Sequence, residues 1–180
     1  DGVSWRLLDY GENSFDRSQA IDKSGRIFVG AKNEIGYYLP VNEFIKNNKE
    51  KRKLERPFLS LLKYVPLEDR EFRDVWKTVV SSKGVFFQTD KYLFRYIPGK
   101  EKFEEGKIHV WKSETGFGGM SIVDDRIYVV QHGIGLMEVK GDSLELIPGG
   151  EKVVCSIEFM IPVSKSDADK KILIGTVSCG

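Results

Sequence analysis

Cysteine is scarce in this 180-residue chain, which holds only Cys155 and Cys179. Two are too few for a disulfide framework, and no Cys-x-x-Cys pair exists to hold zinc. One bridge between them is compatible with the sequence without being implied by it. Cys155 sits in an apolar run, where cysteine behaves as a small hydrophobe. Long apolar runs are also lacking: no segment reaches the ~18 residues of a membrane-spanning helix, so no direct membrane insertion by this segment is expected. Neither a signal-peptide pattern nor an initiator Met is present, and the chain starts and stops inside a pattern. It reads as a piece of a longer protein. Excess charge of one sign is absent as well. Lys and Arg number 28 against 27 for Asp and Glu, a net charge of +1. That gives no general field for nucleic acid or an anionic membrane. One local basic run, Lys46, Lys49, Lys51, Arg52 and Lys53, reads as a solvated loop tip; its sharper reading is a docking patch for an acidic ligand.

What is present is a short strand pattern that returns four times: Gly25 to Gly30, Lys83 to Gln88, Asp125 to Val130 and Lys170 to Gly175. With Ile27, Val85, Ile127 and Ile172 taken as equivalent, the steps are 58, 42 and 45 residues. A period near ~40–50 residues built from several short strands is the mark of a β-propeller array. The expected fold class is therefore all-β, a β-propeller fragment of about three to four four-stranded blades. At 41% hydrophobic and 31% charged, the chain can bury a core and stay soluble.

The units run approximately over 17–73, 74–113, 117–148 and 154–180, with an orphan outer strand over 3–8. In the first, Arg17 to Asp22, Arg26 to Ala31 and Glu34 to Leu39 are the expected strands. The second has Val75 to Val80, Val85 to Thr89, Tyr92 to Ile97 and Lys107 to Lys112. The third has Met120 to Val123, Arg126 to Val130, Gly135 to Val139 and Ser143 to Ile147, and the fourth Ser156 to Val163 and Lys171 to Thr176. Turns rich in Asp, Ser, Lys and Gly between short β-branched and aromatic runs are what tight hairpins require. Runs such as Val85-Phe86-Phe87 and Ile127-Tyr128-Val129 are continuously apolar, as strands covered on both faces are. Each buried aromatic contributes about 2–3 kcal/mol by area.

The long first step has a visible cause, an insertion over 41–73. Phe58 to Val65 fits either a strand or a short helix, Pro66 ends it, and Leu67 to Phe72 fits a helical turn. Loops of this length are often functional; the alternative is that Phe58, Leu61, Leu62 and Val65 cover the edge or face of a blade. Blades depend on their neighbours, so a partial array leaves end blades exposed. Self-association through blade edges, or further blades in the native protein, is expected.

The stretch Arg17-Ser18-Gln19-Ala20-Ile21-Asp22-Lys23-Ser24-Gly25-Arg26-Ile27-Phe28-Val29-Gly30, with Asn33 to Tyr38 after it, resembles the two-component regulator propeller repeat. Asp124 to Val129 with Gly133-Ile134-Gly135-Leu136 is similar, and Phe58 to Trp76 looks like an inter-blade segment of such proteins. The second unit departs from the pattern with Gln88 in place of Gly30 and Ser81 where Asp opens the turn. The third has no glycine closing its Asp124-Asp125 turn. The resemblance implies the periplasmic sensor region of a bacterial histidine kinase, hybrid kinase or related regulator, with signal transduction as its role, ligand sensing, often of saccharides, and an output domain C-terminal to this piece. Carbohydrate-active enzymes and protein-interaction scaffolds are the alternative readings, since a fold alone does not fix function.

Motifs for chemistry are few. His109 and His132 are the only histidines, 23 residues apart and without metal-ligand spacing. No serine sits in a Gly-x-Ser-x-Gly elbow, and Gly25 to Gly30 is a strand rather than a phosphate loop. Asp22, Glu34, Asp74, Asp124 and Asp125 read as turn residues bonding the backbone before they read as the paired carboxylates of a glycosidase. No enzyme, cofactor or metal is expected. A sugar site would use aromatic faces with planar polar partners, drawn from Trp76, Trp111, Tyr37, Tyr38 and Phe117. In a propeller the first residues of the innermost strands lie at the channel mouth. The candidate ligand-binding residues are thus Arg17, Gln19, Asp74, Trp76, Phe117 and His132. Trp76 beside Asp74 is the most suggestive pair, against the alternative that Trp76 is blade packing.

Overall fold

The computed structural model describes residues 16–40, 58–99, 105–163 and 171–177. The expected strand over 3–8, the basic run from Lys46 to Lys53, and Cys179 lie outside them. The described residues are all-β, 56% strand with no α-helix. Three antiparallel sheets of four strands and one of two follow one another along the chain, a blade-like arrangement.

The first sheet holds β1 (Asp16–Ile21), β2 (Ile27–Ala31), β3 (Glu34–Tyr38) and β4 (Phe58–Ser60). In the second are β5 (Lys77–Ser81), β6 (Gly84–Gln88), β7 (Tyr92–Ile97) and β8 (Lys107–Lys112). The third has β9 (Phe117–Val123), β10 (Arg126–Gln131), β11 (Gly135–Lys140) and β12 (Ser143–Leu146). The fourth consists of β13 (Ile157–Pro162) and β14 (Ile172–Thr176). Each full sheet is a meander in chain order. First strands meet from sheet to sheet: β1 touches β5, β5 touches β9, and β9 touches β13.

Side-chain alternation explains the continuously apolar second strands. Successive residues of a strand point to opposite faces. Val85 and Phe87 pack with Phe28 and Ile35 of the first sheet, whereas Phe86 between them packs with Ile127 and Val129 of the third. In β10, Tyr128 and Val130 turn the other way, onto Ile157 and Met160. The core is therefore three layers, one in each gap between sheets.

The insertion resolves into both expected forms. Phe58–Ser60 is a strand, the outermost of the first sheet. Two short 3-10 turns follow, Leu62–Tyr64 and Leu67–Asp69. Leu61, Val65 and Phe72 are buried among Phe28, Phe94 and Val75, so this part of the insertion is a packing segment. Buried Asp69 accepts an ion pair from Lys112 Nζ at 2.7 Å, tying the segment to the second sheet.

The hairpin turns differ in chemistry. Asp22 closes the first with its carboxylate. Oδ1 accepts from Ser24 N, Ser24 Oγ and Arg26 N, and Oδ2 from Arg26 Nε at 2.7 Å. In the third sheet Asp124 and Asp125 themselves adopt φ of 48° and 60°, which aspartate tolerates better than most residues. That is how the turn closes without glycine. Asp125 then reaches across the gap, accepting from Ser82 N and Ser82 Oγ in the second sheet's turn.

Candidate functional site

Strand starts and the turns between second and third strands share one end of the stack. A recess of about 330 Å³ opens there. Its lining comes from three sheets: Trp76, Gln88 and Asp90 beside the second, Phe117 and His132 in the third, and Ser156 and Glu158 at the fourth, with Lys77, Gly118, Gly119 and Ile157 between them.

The walls are fixed by local bonding. Thr89 Oγ1 accepts from the amides of Lys91 and Tyr92, holding the turn around Asp90. The Asp90 carbonyl accepts from Phe117 N at 2.6 Å. Its carboxylate accepts from the indole N–H of Trp76 at 2.8 Å. The Trp76 amide donates to the Gln88 carbonyl at 2.8 Å. The indole is thus anchored at its nitrogen and along its backbone, while 48% of the residue's surface stays exposed. At the far wall Ser156 Oγ accepts from Gly119 N at 2.8 Å. A Cβ on Gly119 would lie 1.7 Å from the Ile157 carbonyl oxygen, so the third and fourth sheets approach here only because that side chain is missing.

Charge in the recess is mixed. Lys77 Nζ is 3.4 Å from the Glu158 carbonyl. Burial pulls the Lys77 ammonium below the usual lysine range, with the Glu158 carboxylate partly opposing that shift. Asp90, Glu158 and His132 complete the ionisable set. Among the described residues no group of three or more His, Cys, Asp and Glu is arranged to hold a metal ion.

Of the six residues expected from the sequence, Trp76, Phe117 and His132 line this recess. Arg17 and Asp74 sit beside it. Arg17 Nε donates to Asp74 Oδ1 at 3.0 Å, and its guanidinium lies 5.6 Å from the centroid of a Trp76 ring. Gln19 is apart and donates to Asp16 Oδ2 at 3.2 Å. Phe117 is buried in the core between second and third sheets, so it forms the floor rather than a contact face. The other aromatics considered are elsewhere. Trp111 and Tyr38 are buried, and Tyr37 stacks on Tyr96 between the first two sheets. His109 packs edge-on to Trp111 at 4.2 Å.

Lys77, Gln88, Asp90, Ser156 and Glu158 are the polar lining residues that the sequence expectations missed. For Asp90 a signal existed: it lies between the second and third expected strands of its unit, as His132 does in the next unit.

A second, larger recess of about 840 Å³ lies at the turns between first and second strands, walled by Ile21, Val80, Ile97 and Pro98 with Lys23 and Lys83 at its rim. It presents no aromatic face.

No protein-family model matches the chain, and no curated protein matches it significantly.

Proposed function

We propose that this chain is a ligand-binding segment of a β-propeller in the extracytoplasmic sensor region of a bacterial signal-transduction regulator, and that its ligand is a saccharide. The observation that carries the reading is the anchored, half-exposed Trp76 at a polar recess. An indole face packs against the C–H face of a sugar ring, while carboxylates, an ammonium and an imidazole serve its hydroxyls. Asp90, Lys77, Glu158 and His132 supply those groups within one recess. The site lies at the ends of first strands, where a propeller places its channel mouth. Its volume, about 330 Å³, is at the small end of ligand pockets and suits one or two sugar rings.

Two further observations support the setting. Three successive four-stranded meanders with adjoining first strands suit a radial array. Cys155 is disulfide-bonded, and disulfides persist in oxidising compartments such as the periplasm.

Titration of the 180-residue chain with a panel of mono- and oligosaccharides tests the reading, following Trp fluorescence and heat. Saturable binding that falls at least tenfold in Trp76→Ala supports it. Binding unaffected by that substitution, or no binding by any glycan, overturns it. Turnover of a bound glycan would move the chain from sensor to enzyme.

A further inference from the structure

We infer that Lys77 is a covalent capture site for an aldehyde: its ε-amine condenses with the carbonyl carbon of a ligand held in the recess. On the saccharide reading above, on which this inference builds, that carbon is C1 of a reducing sugar in its open-chain form.

The lysine is placed for this. Lys77 opens β5 in the second sheet, yet its Nζ lies 3.4 Å from the Glu158 carbonyl oxygen in the fourth. Gly118 and Gly119 of the third sheet line the recess between them. Neither has a side chain to obstruct the lysine stem, so the amine stretches across the recess instead of out to solvent. Trp76, the preceding residue, lines the same recess. A ring resting on the indole, in a space of about 330 Å³, has the amine beside it.

The partners of the amine also set it apart. Lys112 and Lys140 each meet a carboxylate, at 2.7 and 2.8 Å, and those bonds hold their ammonium groups above the usual lysine range. Lys77 has no such contact among the described residues; its hydrogen bond there, to the Glu158 carbonyl, is long. A half-buried lysine without a close counter-ion sheds its proton more readily, because burial penalises the charged form. Burial does lower Lys77, and the Glu158 carboxylate opposes this only in part. The ammonium form can bond the hydroxyls of an arriving sugar; the neutral form is the one that attacks a carbonyl.

The step needs no further reagent. The Nζ lone pair attacks the aldehyde carbon, and the C=O π pair moves to oxygen. A proton passes from nitrogen to that oxygen, giving a carbinolamine. Loss of the hydroxyl with the remaining nitrogen proton, as water, leaves a C=N bond. One amine and one aldehyde give one imine and one water, with nothing oxidised or reduced. His132, Asp90 and Glu158 line the recess and offer sites to carry the proton. Water reverses the reaction, which suits a sensor that must release its ligand.

Reductive trapping of the 180-residue chain tests the inference. The chain is incubated with glycolaldehyde and cyanoborohydride, which reduces an imine to a stable secondary amine, and peptide mapping by mass spectrometry reads each lysine. Lys77 is expected to be labelled about tenfold faster than Lys23 and Lys83, both exposed, because more of its amine is neutral. In concentrated urea the difference should vanish. Both comparisons use the wild-type chain, so no variant need fold. Labelling of Lys77 no faster than Lys23 and Lys83 overturns the inference, and so does a preference that survives urea, which would belong to the local sequence. The same preference is expected with D-ribose; its absence there overturns the assignment of the aldehyde to a sugar. A glycan that binds at Trp76 without preferential labelling of Lys77 leaves the saccharide reading standing and removes the imine. Preferential labelling by glycolaldehyde in a chain that binds no glycan upholds the capture site and removes the saccharide reading.

Discussion

The indole N–H of Trp76 donates to the carboxylate of Asp90 at 2.8 Å, while the Asp90 carbonyl holds the amide of Phe117. One residue therefore orients the proposed binding platform and joins the second sheet to the third. Asp90→Ala keeps the carbonyl link and removes only the carboxylate. Since Trp76 is half-exposed, the stability cost is expected to be about 1 kcal/mol or less. Saccharide affinity should fall more, by roughly tenfold or about 1.4 kcal/mol, because the freed ring must be re-ordered on binding. Urea melts and calorimetric titration of the same variant separate the two. Equal losses in stability and affinity would contradict an orienting role.

Asp22 gives an acid-dependent prediction. Burial alone would raise its pKa, but the bonds from Ser24 and Arg26 outweigh that, and the folded value lies below the ordinary 3.8. A carboxyl held low in the folded state binds fewer protons there than in the unfolded chain. Its stabilisation is complete above about pH 3.8 and is lost as pH falls through the lower folded value. Asp22→Ala should cost about 2 kcal/mol at pH 7, in line with hydrogen bonds to a charged acceptor. Asp22→Asn, which keeps an acceptor oxygen, should cost less. Chemical melts from pH 7 to pH 2.5 should show the wild-type advantage over Asp22→Asn shrinking below pH 4; a constant gap would refute the assignment.

The sheets were legible because burial on two faces leaves a plain trace. Val85-Phe86-Phe87 has no polar position, because Val85 and Phe87 serve the layer on one side of the sheet and Phe86 the layer on the other. Strand ends were less legible where a local rule was overridden. The first strand of the third unit is expected from Met120; β9 begins at Phe117, where Gly119, lacking a side chain, lies against the Ile157 carbonyl. The outer strand β4, only three residues long, is separated from β3 by the insertion and carries no repeat signature. At the candidate site, Trp76 stood out as an aromatic face beside Asp74 near a strand start, and His132 as one of only two histidines in the chain. Asp90, Lys77 and Glu158 did not, because acidic and basic residues occur everywhere along it. Only the fold separates those at the recess from those in solvent.

Arg95 supplies the third prediction. Its side chain is largely buried on β7 and reaches the turn after β11, donating from Nη1 to the Gly141 carbonyl at 2.7 Å and from Nη2 to Asp142 Oδ1. The guanidinium also lies 5.5 Å from a ring centroid of Trp111, whose indole N–H donates to the Asp142 carbonyl. Asp142→Ala leaves a buried cation without its carboxylate and should cost about 2–3 kcal/mol. Arg95→Met replaces the cation with an apolar chain and should cost less than Asp142→Ala. Urea melts of the two variants check the order; the reverse order would show that the guanidinium's packing, not its pairing, holds the second and third sheets.

Two glycines near the recess make a matched test of close approach against backbone conformation. At Gly133, φ is 76° and a Cβ would meet nothing within 4 Å. Gly133→Ala therefore adds only left-handed strain, about 1–2 kcal/mol, and should leave ligand binding in place. Gly119 has no left-handed requirement, yet its Cβ would fall 1.7 Å from the Ile157 carbonyl oxygen and 2.7 Å from the carbon bearing it. Backbone on both sides must separate, which also breaks the bond from Gly119 N to Ser156 Oγ. Gly119→Ala should cost at least 3 kcal/mol, on the scale of other severe packing defects, and should speed hydrogen exchange across β13 while β5 to β8 keep their protection. If Gly119→Ala were the milder of the two, the third and fourth sheets would not be packed as closely as this arrangement requires.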